Sequence, residues 1–327
     1  MEKTGDANAA GRPQQALSEP FELSREFPAV VFVNPHAGAG RAGARLPEIR
    51  GIFTAHKVPA EFLITESVQH LQSLVRGAIA DGRRLLFALG GDGTFQGLAN
   101  ACFGSDVLLG LLPAGGGNDF ALALGLPRNS GDAARTVLRG RPRPVDLLRA
   151  RTSDGTERLY VGGGGVGLDA DAARYAAAQY RRWPGRWRYV AGLLHALRGF
   201  TPLRVRAEVC GATEPVMEET VLLAAIFNAP SYGAGVHLAP QAEVNDGRLD
   251  VAFVKDLSSL QVLTALLQLL RSGTLPEAYV KRARARCVML SANRRCLFHC
   301  DGEILGPAPV QVEVVPHAIR VLAPVVR

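Results

Sequence analysis

Lysine is scarce in this chain. It stands only at positions 3, 57, 255 and 281, so the formal net charge of +7 is carried mainly by arginine. Such a surface attracts phosphates, anionic headgroups or nucleic acid without choosing among them. Cysteine is also sparse: the five residues at 102, 210, 287, 296 and 300 are scattered and odd in number, which argues against a disulfide framework and fits a reducing cytoplasm. No apolar run approaches the roughly 20 residues of a membrane span. The first residues lack the charged and hydrophobic regions of a signal peptide. These absences predict a cytoplasmic protein that meets a membrane, if at all, at its inner surface.

What is present is a long, apolar, glycine-rich chain. With 327 residues, 47% of them apolar, and 36 glycines, it exceeds one typical domain of roughly 100–200 residues and predicts two. Residues 1–25 are polar, small and without period, and read as a disordered tail. From residue 26 to 144 short apolar runs (29–33, 60–64, 84–89, 107–112) alternate with helical patterns (44–56, 67–80 and from Thr94). That texture predicts a parallel sheet covered on both faces, a Rossmann-like α/β domain. Beyond Pro144 the pattern changes to a hairpin turning at Asp154-Gly155 and strand-like runs at 203–209, 219–227, 247–254, 285–292, 296–302 and 310–316. Two helical insertions interrupt them, near 169–199 and 258–271. The expectation for 145–327 is an antiparallel β-sandwich, with the final residues able to return to the first domain.

Three of the four strands of the first part end in a turn rich in glycine or asparagine. "NPHAGAG" (34–40) follows the first strand, "GGDGT" (90–94) the third and "LPAGGGNDFA" (112–121) the fourth. In open α/β sheets this edge meets helix N-termini, whose free N–H groups favour anions, so phosphate is the expected ligand. Far along the chain, "HCDGE" (299–303) adds the carboxylates Asp301 and Glu303.

Taken in order with "VGLDAD" and "NAPSYGAGVHLAPQAEVNDGRLDV", these motifs resemble the diacylglycerol kinase catalytic-domain family, which includes soluble bacterial lipid kinases and the sphingosine and ceramide kinases. The resemblance spans about residues 27–324 and implies an ATP-dependent lipid kinase in phospholipid metabolism, with ATP and Mg2+ between an α/β domain and a β-sandwich lipid domain. By resemblance, Asn34 and Gly38 belong to the first nucleotide loop, Gly90, Gly91, Asp92, Gly93 and Thr94 to the second, and Gly115, Gly116, Asn118 and Asp119 to the third. Glu303 matches the carboxylate regarded as general base, Asp301 its supporting acid, and Asp92 is the competing base. A structural magnesium in bacterial members corresponds here to Asp246, with backbone carbonyls of Glu243 and Arg248. The implied partners are diacylglycerol, a sphingoid base or a similar lipid, a peripheral membrane surface, and a second copy in a homodimer; nucleic acid is not among them. One departure is Gly116, where the family usually has threonine. A soluble-substrate kinase resembling the NAD kinases, which share "GGDGT", and a catalytically weak nucleotide- or lipid-binding relative are the alternatives.

Phosphoryl transfer requires an aligned nucleophile, neutralised charge on the γ-phosphate and an acceptor for the hydroxyl proton, which glycine turns, magnesium and a carboxylate can supply. Other motifs read more simply. "CLFHC" (296–300) alternates as a strand and predicts core cysteines, not zinc. "VGGGGVG" (161–167) predicts close backbone approach. "KRARAR" (281–286) reads as a strand with a basic face, and "RRWPGRWRY" (181–189) suits either a membrane interface or a solvated face.

Overall fold

A computed structural model of the chain describes residues 28–180, 187–212, 215–233 and 235–325. The tail at 1–25 and most of the "RRWPGRWRY" stretch lie outside the described residues.

The first unit is built from strands too apolar to face water. β1 (Ala29–Val33), β3 (Leu85–Gly90) and β4 (Leu108–Pro113) are buried at every position. β2 (Ala60–Ile64) is only partly covered and forms the edge. Helices α1 (Arg41–Ala55), α2 (Val68–Ala80) and α3 (Asp92–Cys102) connect them. The Ser67 hydroxyl caps α2 by accepting the His70 N–H at 3.0 Å. All four strands run parallel in the order β4-β3-β1-β2. Because β2 lies on one side of β1 and β3 on the other, the order reverses between β1 and β3. The turns leaving those two strands therefore open into the crevice where α/β sheets hold ligands. α3 starts at Asp92, two residues before the position expected from the pattern, because the Gly91 carbonyl accepts the N–H groups of Thr94 and Phe95.

After the short helices α4 (Asp119–Ala123) and α5 (Ser130–Val137), β5 (Arg141–Thr152) leaves this unit and runs antiparallel to the last strand, β15 (Val310–Ala323). Near its end β15 also lies parallel to β4, through Arg320 and Val321 against Leu108 and Leu109. Where this ribbon is bulged, between Val315 and Ile319, the buried carboxylate of Asp146 accepts the N–H groups of His317 and Gly247, both at 2.7 Å.

The second unit is antiparallel. β6 (Glu157–Tyr160) turns back on β5, and β7 (Gly163–Gly167) pairs with β9 (Pro215–Phe227) and β13 (Leu297–Cys300). Helices α6 (Leu168–Ala178) and α7 (Trp187–Leu197) stand between β7 and β8 (Leu203–Val209). β10 (Leu249–Lys255), α8 (Ser259–Ser272), β11 (Val280–Ala285), β12 (Cys287–Ala292) and β14 (Glu303–Pro307) complete it. The strands expected at 281–286 and 285–292 are β11, which pairs with β10, and β12, which pairs with β8 and β15. Its core gathers inward-facing residues such as Val205, Ile226, Phe253, Leu290 and Phe298. The fold is thus an α/β unit joined to an antiparallel β-sandwich-like unit.

Two expectations meet different fates. The glycines of "VGGGGVG" do mark close approach: a Cβ at Gly162 would lie 2.8 Å from the Asp301 carboxylate, and one at Gly165 2.7 Å from the Ala224 carbonyl. The cysteines form no framework, with Cys102, Cys296 and Cys300 free, but Cys210 and Cys287, which the scattered spacing did not pair, are bonded with Cα atoms 5.4 Å apart. β8 and β12 pair antiparallel with Val209 opposite Val288, which brings together two cysteines 77 positions apart. Of the "CLFHC" residues, Cys300 and Phe298 are core, and Cys296 packs against that core.

Candidate active site

Three turns from the first unit converge at the crevice. After β1, Asn34 donates from Nδ2 to the Thr94 hydroxyl at 3.2 Å, joining the first turn to the second. Gly38 has φ +62° and lies against the Ala114 carbonyl, so only glycine fits. The second and third turns touch through bare backbone: a Cβ on Gly115 would stand 2.6 Å from the Gly91 Cα. Gly90 is equally crowded, by the Thr94 side chain, whereas Gly93 faces open space. This cradle, at the N-terminus of α3, has the small size and exposed N–H groups that suit the phosphates of a nucleotide.

Asn118 shapes the third turn. Its backbone is left-handed, with φ 57°, and its side-chain oxygen accepts the Gly115 N–H at 2.8 Å. Asp92 reaches across from α3 to hold the same turn, accepting the N–H of Asn118 at 2.9 Å and of Phe120 at 3.2 Å. Burial pushes the Asp92 carboxyl up to about 6; the charges of Asp119 and Asp301 add to the shift, and the two N–H bonds oppose it. Gly116, where a threonine was the expected residue, is exposed on the turn.

Asp119 points the other way, to the second unit. Its Oδ1 accepts the Ser231 hydroxyl at 3.2 Å and the Gly235 N–H at 2.7 Å. Asp301, in a left-handed conformation with φ 46°, accepts three successive N–H groups, from Val161, Gly162 and Gly163, at 3.0 to 3.1 Å. Burial raises its carboxyl pKa and those bonds oppose the rise. Asp92, Asp119 and Asp301 therefore form an acidic group where the units meet. Glu303 stands apart from it: its side chain is 64% exposed and receives a 2.6 Å hydrogen bond from Arg158.

Other site residues escaped the sequence reading. Arg41, the first residue of α1, donates to the Gly38 carbonyl at 3.0 Å and the Gly115 carbonyl at 2.7 Å. It braces the first turn against the third and brings a cation to both; its only sequence signal is an arginine directly after a glycine turn. Ser231 and Gly235 lie within "NAPSYGAGVHLAPQAEVNDGRLDV", where no local pattern signals their contact with Asp119. Behind Asp301, buried His299 pairs with buried Asp169 at 3.0 Å, and Tyr232 donates to the same carboxylate at 3.2 Å.

The segment carrying Glu243, Asp246 and Arg248 does not fit a magnesium ion. Asp246 accepts the Arg248 N–H at 2.9 Å on one oxygen and has the Arg284 guanidinium 3.7 Å from the other. Among the described residues no three His, Cys, Asp or Glu side chains converge as a metal site.

Residues 28–150 match the diacylglycerol kinase catalytic domain, and residues 164–323 match the YegS C-terminal NAD kinase beta sandwich-like domain. A diacylglycerol kinase of Mycobacterium tuberculosis is 32% identical over 296 residues, covering 90% of this chain and 94% of that one. A diacylglycerol kinase of Bacillus subtilis is 27% identical, covering 73% and 78%. In fold, the crystal structure of a diacylglycerol kinase from Bacillus anthracis str. Sterne matches with a TM-score of 0.69 at 19% identity, covering 90% of this chain and 96% of that one. Two matched domains in sequence order and full-length similarity to a named kinase lead to one conclusion: the chain belongs to the diacylglycerol kinase family of lipid kinases.

Proposed function

We propose that the protein transfers the γ-phosphate of ATP to a hydroxyl of diacylglycerol or a closely related lipid. The observation that carries this is the contact of three glycine-bearing turns at the α3 N-terminus, with Asp92 and Asp119 on those turns and Asp301 brought near Asp92 from the second unit. The turns at 34–40, 90–94 and 115–118 bind the nucleotide phosphates, and Arg41 adds positive charge beside them. Magnesium arriving with the nucleotide supplies further charge neutralisation.

Asp92 takes the hydroxyl proton. A base works best with a proton affinity near the operating pH, and the rise to about 6 supports this role. Asp119 ties the first unit to the second through the Gly235 N–H and the Ser231 hydroxyl, and Asp301 fixes the 161–163 turn inside the second unit. A second reading keeps Glu303 as the base, favoured by a carboxylate that is 64% exposed and, among the described residues, held by Arg158 alone. Radiolabelled ATP with magnesium and a panel of diacylglycerol, sphingoid base, ceramide and NAD tests the whole. Label is expected in a lipid; label in NAD alone, or in nothing, refutes the proposal. Asp92→Asn should then lower kcat by about 100- to 10,000-fold, with Glu303→Gln acting mainly on KM. The reverse order assigns the base to Glu303.

The lipid is reached from a membrane surface. Trp187 and Leu194, seven positions apart on α7, are about half exposed, as is Leu267 on α8, where Leu260 is 71% exposed. Among the described residues no helix is long and apolar enough to cross a membrane. Co-sedimentation with anionic vesicles, reduced in Trp187→Ala and Leu194→Ser, is the expected result.

A further inference from the structure

The loop from Gln241 to Asp250 is gathered by one side chain. Arg284 lies directly opposite Asp250 in the β10–β11 pairing, so its guanidinium starts beside a carboxylate that is only 4% exposed. Nε donates to Asp250 Oδ1 at 2.9 Å, Nη2 donates to the Gln241 carbonyl, and Nη1 stands 3.7 Å from Asp246 Oδ2. Three nitrogens thus serve two carboxylates and a carbonyl from one short stretch of chain. That is the ligand set, and the loop-gathering role, of a hard divalent cation.

The same geometry works against such a cation. An ion bound to Asp246 Oδ2 at about 2.1 Å would lie within about 6 Å of Arg284 Nη1 in any direction. It would have to displace the guanidinium or share its acceptors at a cost in repulsion. The loop also does more than cover the sandwich. Gly247 donates to Asp146, the Val244 carbonyl accepts the Asp146 N–H, and Asn245 accepts from Arg143. All these contacts reach β5, the strand common to both units.

We infer that Arg284 takes the place of a divalent cation in this chain, fixing the 241–250 loop and through it the junction, so that the protein itself needs no bound magnesium. This stands independently of the nucleotide or lipid used, and the test omits both. The purified full-length protein is stripped with EDTA and its thermal unfolding followed while MgCl2 is added at constant ionic strength. The wild type is expected to keep its Tm within about 1 °C up to about 10 mM, since only a ligand that prefers the native state raises it. Arg284→Met should melt several degrees lower in EDTA and recover part of the loss, saturably, on adding MgCl2. Arg284→Lys, with one charge but no three-way fork, should melt between the two. A saturable rise in the wild-type Tm overturns the inference. So does an Arg284→Met protein that melts like the wild type, or one whose loss magnesium does not restore. If Arg284→Met does not fold, the wild-type titration and Arg284→Lys decide.

Discussion

Asp92 lets one perturbation be followed from structure to number. Its carboxyl is pushed from the ordinary 3.8 to about 6, first by burial and then by Asp119 and Asp301. At about 1.4 kcal/mol per pH unit, ionising it costs the folded state about 3 kcal/mol relative to the unfolded chain. The sign follows from proton uptake: between the two values the native state binds more protons, so this stability is present at low pH and lost as pH rises through about 6. Roughly half of that loss develops between about pH 5 and 7.5. Asp92→Asn removes the titration. It also spoils one of the N–H bonds to Asn118 and Phe120, but that cost does not change with pH. Urea unfolding of both proteins at the two pH values isolates the effect: the variant should gain about 1.4 kcal/mol on the wild type as pH rises. A difference that stays flat, or that moves toward the wild type, would refute the account of a buried carboxylate crowded by like charges. The catalytic counterpart is an acid limb in kcat/KM near pH 6, following the same ionisation.

Other outcomes can be checked directly. Gly115→Ala should raise the Kd for ATP at least tenfold in calorimetry, because its Cβ would stand 2.6 Å from the Gly91 backbone. Arg41→Ala should weaken ATP by about tenfold while leaving lipid KM unchanged, since it removes two braces between the phosphate turns and a nearby charge. Gly116→Thr, which supplies the missing hydroxyl on an exposed turn, should tighten ATP by about 3- to 10-fold; weaker binding would mean that the turn is used through its backbone alone. Cys210→Ser should lower stability by about 2–4 kcal/mol, and reductant should bring the wild type to the same level.

The parts of this molecule written in local pattern were legible. Apolar runs flanked by glycine turns located β1, β3 and β4 and the turns that leave all three. The glycines at 162–167 announced crowding, although not that Asp301 was the neighbour of Gly162. Contacts between residues far apart in the chain carried no such signal. Arg41 spans 74 positions to Gly115, and Asp119 spans 116 to Gly235. The Cys210–Cys287 bond depends on which strands become neighbours, which scattered cysteines cannot indicate. Glu303 illustrates a further limit: spacing placed it beside Asp301, but strand β14 turns it outward to Arg158. The alternation in "KRARAR" located strand β11 with its basic residues, but not the acidic partners that Lys281, Arg282 and Arg284 each have.

The last strand has a consequence for how the protein is made. β15 supplies the neighbour that β4 needs on its outer side, yet the ribosome delivers it only after the whole second unit. Until then the nascent first unit displays an open, wholly apolar strand edge, the kind of surface on which unfinished chains associate. Completion of the first unit is therefore tied to completion of the second, and a chain shortened by its final dozen or so residues should fail in the first unit and not in the second.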